Sequence, residues 1–163
     1  MFIKTNNFTL RVAQADDNEL KELIQDIEEL YPMGEARLYP DKMPGSMMFR
    51  IEKDDKLIGE VGFKTIKWYN RKAEVSVILT KENQGKGYGT EATKAIMKYG
   101  FEKMNLHRIE AEVIAFNEAS IKMVESLGFV KEGTLREGKY SYGKYWDIYR
   151  YGILRSEYDK LND

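Results

Sequence analysis

The chain contains no cysteine and a single histidine, His107. The first absence excludes disulfides, thiolate metal sites and a cysteine nucleophile together. The second leaves little material for a multi-histidine metal centre or a Ser/His/Asp triad, and His107, at the start of a strand, reads as structural. No window approaches the roughly eighteen apolar residues a membrane-spanning helix needs. The N-terminal MFIKTNNFTL lacks a long apolar segment and a cleavage site, so no secretion signal is expected and the cytoplasm is the default location. An excess of charge is also missing. Twenty-six Lys and Arg against 27 Asp and Glu leave a net charge of −1 and a pI near 6.0, which argues against a dedicated binder of nucleic acid or acidic membrane. Proline is scarce. All three, Pro32, Pro40 and Pro44, fall in YPMGEARLYPDKMPG with Gly34 and Gly45. A loop this long is uncommon unless functional or mobile. Its Tyr31, Met33, Tyr39 and Met43 either line an acceptor pocket or lie over core.

What is present indicates one folded domain over residues 1–163: 42% hydrophobic and 33% charged residues in 163, without internal repeat or linker. A first strand is expected over Phe8–Ala13. A helix capped by Asp16 follows, with Leu20, Leu23, Ile24, Ile27, Leu30 and Tyr31 inward. Ser46–Lys53, Leu57–Trp68 and the strand carrying Glu74 read as an antiparallel meander. His107–Ile114 is a strand with Ile109, Ala111 and Val113 on one face and Glu110 and Glu112 on the other. Asn117–Leu127 is a helix stopped by Gly128. Phe129–Tyr142 and Tyr145–Tyr158 read as closing strands.

The most informative stretch is EVSVILTKENQGKGYGTEATKAIMKYGFEK, from Glu74 to Lys103. Val75, Val77 and Leu79 alternate with polar neighbours as a strand requires. Past Gly89, the spacing of Ala92, Ala95, Ile96 and Tyr99 predicts one face of a helix. Between them, Gly85, Gly87 and Gly89 with Lys86 make a turn whose amides, at a helix start, favour an anion. A Walker loop is absent. The dinucleotide fingerprint fails at Thr90, and Lys86–Gly89 lacks the later aromatics of an RNA-binding RNP1 motif. Gln84-x-x-Gly87-x-Gly89 instead resembles the pyrophosphate-binding motif of the GNAT superfamily of acyl-CoA-dependent N-acetyltransferases. Asn117-Glu118-Ala119-Ser120, continuing to Leu127-Gly128-Phe129, is similar to a segment of the ribosomal-protein N-terminal acetyltransferases within it.

The resemblance implies an α/β (α+β) GNAT fold, with a mixed, mostly antiparallel central sheet of about seven strands flanked by helices. It implies acetyl transfer from acetyl-CoA to a primary amine, a peptide N-terminus or a small molecule, by direct attack in a ternary complex. No metal, membrane or nucleic acid is expected, and a homodimer is admitted. Coenzyme A would be held by Gln84, Gly85, Lys86, Gly87, Tyr88, Gly89 and Thr90. Backbone groups at Ile78, Leu79 and Thr80 would pair with the pantetheine arm. Asn117 would contact that arm or serve only as a helix cap. Ser120 would lie near the sulfur, and because Val124 stands where many relatives carry a tyrosine as the acid, that role would pass to Ser120 or to a tail tyrosine. Glu112 resembles a strand glutamate proposed as base, with Glu74 its rival, and either is otherwise a surface carboxylate. A non-catalytic acyl-CoA-binding or regulatory module is the competing expectation.

Overall fold

The computed structural model describes residues 2–4, 9–11, 16–25 and 43–163. They fall into two units, Met1–Leu38 and Tyr39–Asp163. In the first, β1 (Phe2–Lys4) pairs antiparallel with β2 (Thr9–Arg11), and α1 spans Asn18–Gln25. The strand expected over Phe8–Ala13 is therefore present as β2, but its partner is β1 and it adds nothing to the main sheet. The helix begins two residues after Asp16, the expected cap. Leu23, expected to be buried, is 61% exposed, because it stands one turn from exposed Glu19 on the polar side. The side chains of Leu20 and Ile24, and everything expected of Ile27, Leu30, Tyr31, Met33 and Tyr39, lie outside the described residues.

The second unit is a six-stranded sheet, not one of about seven. Its strands are β3 (Met47–Lys53), β4 (Lys56–Lys67), β5 (Lys72–Leu79), β6 (Arg108–Ile114), β7 (Val130–Ser141) and β8 (Lys144–Leu154). They lie in the order β3-β4-β5-β6-β8-β7. Two-residue turns close two hairpins. Asp54 and Asp55 have φ of 51° and 60°, Tyr142 and Gly143 have 53° and 77°, and paired positive φ values match the twist of antiparallel strands. Only β5 and β6 run parallel, and α2 (Tyr88–Glu102) is the crossover between them. After β6 come α3 (Glu118–Ser126) and, past the last hairpin, α4 (Arg155–Asn162).

The closing strand expected to reach Tyr158 ends at Leu154. The Leu154 amide donates to Glu157 Oε2 at 2.8 Å, which starts a helix where the strand pattern seemed to continue. Tyr158 then stacks on Phe101 of α2, centroids 4.7 Å apart. Ala73, Ile109 and Ile153 from the sheet and Phe101 and Val124 from the helices are at most 2% exposed and share one core. Along β5, β6 and β8, Glu74, Glu110, Glu112 and Arg150 alternate with the buried Val75, Ala111, Val113 and Tyr151, so one sheet face is apolar and the other charged.

The buried face of α2 is also rotated from its expected position. Thr93, Ile96, Met97, Gly100 and Phe101 face inward, whereas Ala95 and Tyr99 are exposed. The cause is Gly100. A Cβ there would stand 2.6 Å from Cζ of Phe63, a ring with no exposure, so the missing side chain lets the helix settle onto that ring. Gly100→Ala should therefore lose stability. Overpacking costs about 1–3 kcal/mol, against a helix-propensity gain of about 1 kcal/mol. In a Phe63→Leu background the same substitution should cost less. Urea unfolding of the four proteins checks this, and strictly additive losses would contradict the packing account.

Candidate active site

The site starts from a strand pair that comes apart. β5 and β6 share three rungs, Lys72↔Arg108, Ala73↔Ile109 and Glu74↔Glu110. Beyond Glu74, β5 stays on β4 as far as Gly59↔Leu79, and β6 stays on β8 as far as Ile114↔Ile148. The shared end is fastened by charge. Glu110 Oε1 accepts from Arg108 Nε at 2.8 Å and Lys72 Nζ at 3.2 Å. Burial alone would raise the Glu110 pKa, but these two donors outweigh it and hold it below the ordinary carboxylate value. Arg108 continues over β8 to pair with Glu132 on β7, crossing at Gly152, where a Cβ would collide with the guanidinium.

Register decides which backbone groups face the gap. The Thr80 amide donates to Ile58 O at 2.9 Å. Since bonding residues alternate along an antiparallel pair, Ile78 and Thr80 turn their backbone groups to β4, while Val77 and Leu79 turn theirs to the gap. This corrects the expectation that Ile78 and Thr80 offer free main chain there; Val77 takes that position beside Leu79. The side chain of Ile78 still lines the cleft, and Thr80 does not.

After β5, a single 3-10 turn (Lys81–Asn83) leads into the glycines. Asn83 Nδ2 donates to Thr80 Oγ1 at 2.8 Å, and Gln84 Nε2 donates to Leu79 O at 3.0 Å. Gly85 and Gly87 have φ of 70° and 83°, and a Cβ on either would meet nothing within 4 Å. Glycine is thus required there by the backbone, and the space beside it is open. Gly87 precedes α2, and the first intrahelical bond runs from Glu91 N to Gly87 O at 3.0 Å. The amides of residues 88–90 precede that ladder, with no side chain capping them. They point the positive end of the helix dipole at the open space.

A cleft of about 360 Å³ occupies that space. Of the residues expected to bind the cofactor, Ile78, Leu79, Gln84, Gly85, Gly87, Gly89, Thr90, Asn117 and Ser120 line it. Lys86 is exposed beside it. Tyr88 instead lines a separate groove with Ile51, Ile58 and Ala92 on the other side of α2. A second cavity of about 210 Å³ lies between the parted strands, bordered by Lys64, Ser76, Thr93, Glu112 and Val124. Val77, Asn117, Ser120 and Met123 are on the walls of both, so cleft and inner chamber adjoin.

The two proposed bases are placed differently. Glu112 lines the inner chamber and pairs with Arg150 across the β6–β8 rung at 2.8 Å. Glu74, on β5 opposite Glu110, does not line the chamber; it is 15% exposed, with Oε1 buried. Lys64 Nζ lies 2.8 Å from that oxygen, an ion pair without hydrogen-bond alignment. Ser120 is held at the start of α3, its amide donating to Asn117 Oδ1 at 3.1 Å. Val124 is 2% exposed, a core residue. Of the tail tyrosines, Tyr151 is a weaker acid than usual: burial and its bond to Glu125 at 2.9 Å push its pKa up to about 12. The main chain of His107 accepts from Arg155 N and donates to Arg71 O.

Lys64, Val77, Met123 and Arg150 were not singled out by the sequence. Met123 had a signal, since it follows Asn117 and Ser120 at spacings of three along one helix face. The others depend on register. The Asn117 cap is directly testable. Asn117→Ala should lower stability by about 1 kcal/mol, whereas Asn117→Asp keeps the accepting oxygen and should not. Equal calorimetric midpoints for the two variants would contradict the cap.

A family model for the acetyltransferase (GNAT) domain matches residues 9–149. The uncharacterized N-acetyltransferase p20 of Bacillus licheniformis is 35% identical over 143 residues, 88% of this chain and 76% of that protein. The spermidine N(1)-acetyltransferase of Vibrio cholerae serotype O1 is 37% identical over 111 residues, 68% of this chain and 64% of that protein. A dodecameric structure of spermidine N-acetyltransferase from Vibrio cholerae superposes with a TM-score of 0.70 at 31% identity, covering 90% of this chain and 78% of that one. The chain belongs to the GNAT acetyltransferases and is an acetyl-CoA-dependent N-acetyltransferase.

Proposed function

We propose that this chain acetylates a small cationic amine or a peptide N-terminus by direct attack on acetyl-CoA in a ternary complex. The observation that carries the reading is the cleft at the uncapped start of α2 adjoining the chamber between β5 and β6. Its outer end suits a pyrophosphate. Along its middle, the Val77 and Leu79 main chain offers an extended amide-bearing arm the rungs that β6 no longer supplies. At its inner end, Ser120 lies where the thioester sulfur would arrive, and Glu112 faces the same space. Leu79 N–H would then polarise the carbonyl, Glu112 or Glu74 would take the amine's proton, and attack would follow without a covalent enzyme intermediate. Relatives named as spermidine N(1)-acetyltransferases and as a putative ribosomal N-acetyltransferase keep both acceptor classes in play. The dodecameric relative also makes a homo-oligomer part of this proposal.

Cofactor placement is tested at Gly89, in the first turn of α2, where a Cβ would make only ordinary contact with Met123 and Leu79. Gly89→Val should fold normally yet bind coenzyme A at least about tenfold more weakly, because its methyls enter the approach of the pyrophosphate. Calorimetric titration that finds parental affinity in a folded variant would displace the site.

For the base, Glu112→Gln keeps size and burial and removes the proton acceptor. Turnover should fall about a hundredfold or more, with coenzyme A affinity unchanged and the loss greatest at low pH. Glu74→Gln is measured beside it across pH. Parental activity in Glu112→Gln with loss in Glu74→Gln moves the role to Glu74; activity retained in both leaves the proton to solvent or substrate.

A further inference from the structure

Lys64 is displaced from regular pairing. The β4–β5 register slips between Phe63↔Val75 and Thr65↔Glu74, leaving Lys64 as the extra residue of a bulge. The bulge turns its side chain to the wall of the inner chamber, where it is the one lysine among the described residues. Its ammonium is 2.8 Å from Glu74. A primary amine paired to a carboxylate therefore stands at the wall of the 210 Å³ space that Ser120, Asn117 and a second carboxylate, Glu112, border. An amine and a carboxylate are the two groups amine acetylation requires of an acceptor and a base. The side chain is 48% exposed and has four flexible methylenes, so it swings without disturbing the core.

We infer that Lys64 is a self-acetylation site, modified from acetyl-CoA bound in its own cleft; this rests on the proposed placement of the cofactor. The ammonium gives one proton to Glu74. The freed Nζ lone pair attacks the thioester carbonyl carbon, and an N–C bond forms. The C–S bond breaks with its electron pair leaving on sulfur, and the second proton lost by nitrogen ends on the thiolate. The products are Nε-acetyl-Lys64, coenzyme A and one proton released from Glu74 to solvent. Acetylation also withdraws the cation from Glu74 and leaves that carboxylate to an incoming acceptor ammonium.

The test incubates the intact protein with acetyl-CoA, without added amine, and follows peptide masses over time. One acetyl group should accumulate on Lys64 at least tenfold faster than on exposed lysines such as Lys103 and Lys131, at a rate independent of protein concentration. Lys64→Arg should abolish that product, Glu74→Gln should slow it at least tenfold, and excess coenzyme A should suppress it. A protein that binds coenzyme A and acetylates an added amine while Lys64 stays unmodified overturns this proposal alone. So does modification of Lys64 no faster than that of surface lysines, or one that Glu74→Gln leaves untouched. A protein that neither binds coenzyme A nor turns over any amine overturns the functional reading and this inference with it.

Discussion

Everything in the second unit depends on β5 leaving β6 after Glu74↔Glu110. A sheet that gives up rungs in its interior exposes backbone groups that cost about 1–3 kcal/mol each if buried without a partner. Two arrangements make the separation tolerable. Each strand keeps its other neighbour to the end, β5 on β4 and β6 on β8, so neither frays. The shared end is clamped by Lys72 and Arg108 on Glu110, with Arg108 reaching across Gly152 to Glu132. The gap is therefore a fixed wedge with a rigid hinge. In the proposed function the Val77 backbone and the Leu79 N–H would serve an extended ligand arm, the Leu79 carbonyl being taken by Gln84, and α2 begins at the wedge's open side, where no side chain caps its first amides.

Charge on the opposite sheet face follows the same logic of occupied places. Glu112, the carboxylate that lines the chamber among the described residues, carries Arg150, and Glu74 on the neighbouring strand carries Lys64. The Lys64 end of that pair is half-exposed while the Glu74 end is mostly buried, so in the proposed function an acceptor ammonium replacing Lys64 would keep that carboxylate paired while the lysine regains water. The chamber is in this sense prepared for a cation without holding an isolated buried charge.

The parts legible in the sequence are those written in consecutive residues. The glycine turn between strand and helix, the Asn117 cap and the alternation in β6 are all local, and each stands where expected. What escaped is set by partners. The inward face of α2 was misjudged because Gly100 reads as a gap in an apolar stripe, although the gap is what seats the helix on Phe63. That Val77, and not Ile78, faces the wedge depends on pairing parity with β4, and one residue of slip would reverse it. Lys64 enters the chamber only because of a bulge that no residue type announces. The last strand's end at Leu154 is fixed by Glu157, a contact three residues ahead that the apolar alternation of YWDIYRYGIL conceals.

The absence of an obvious acid follows from the chemistry of the leaving group. Val124 is packed in the core, and Tyr151 holds its proton to about 12 through burial and Glu125. Val124 has no proton to give, and Tyr151 is a weaker acid than an ordinary tyrosine. A thiolate, however, has a conjugate acid near 8.5, far below that of an alkoxide, so under the proposed mechanism it would need less help from an acid in leaving. The harder proton is the one on the acceptor, since a primary alkylamine such as a lysine side chain is almost wholly protonated at pH 7 with an ordinary pKa near 10.4. Under the proposed mechanism the demand therefore falls on a carboxylate near the amine more than on a donor at the sulfur. Glu112 lines the chamber where that amine would arrive, and Ser120, at the capped start of α3, would need only to orient the sulfur.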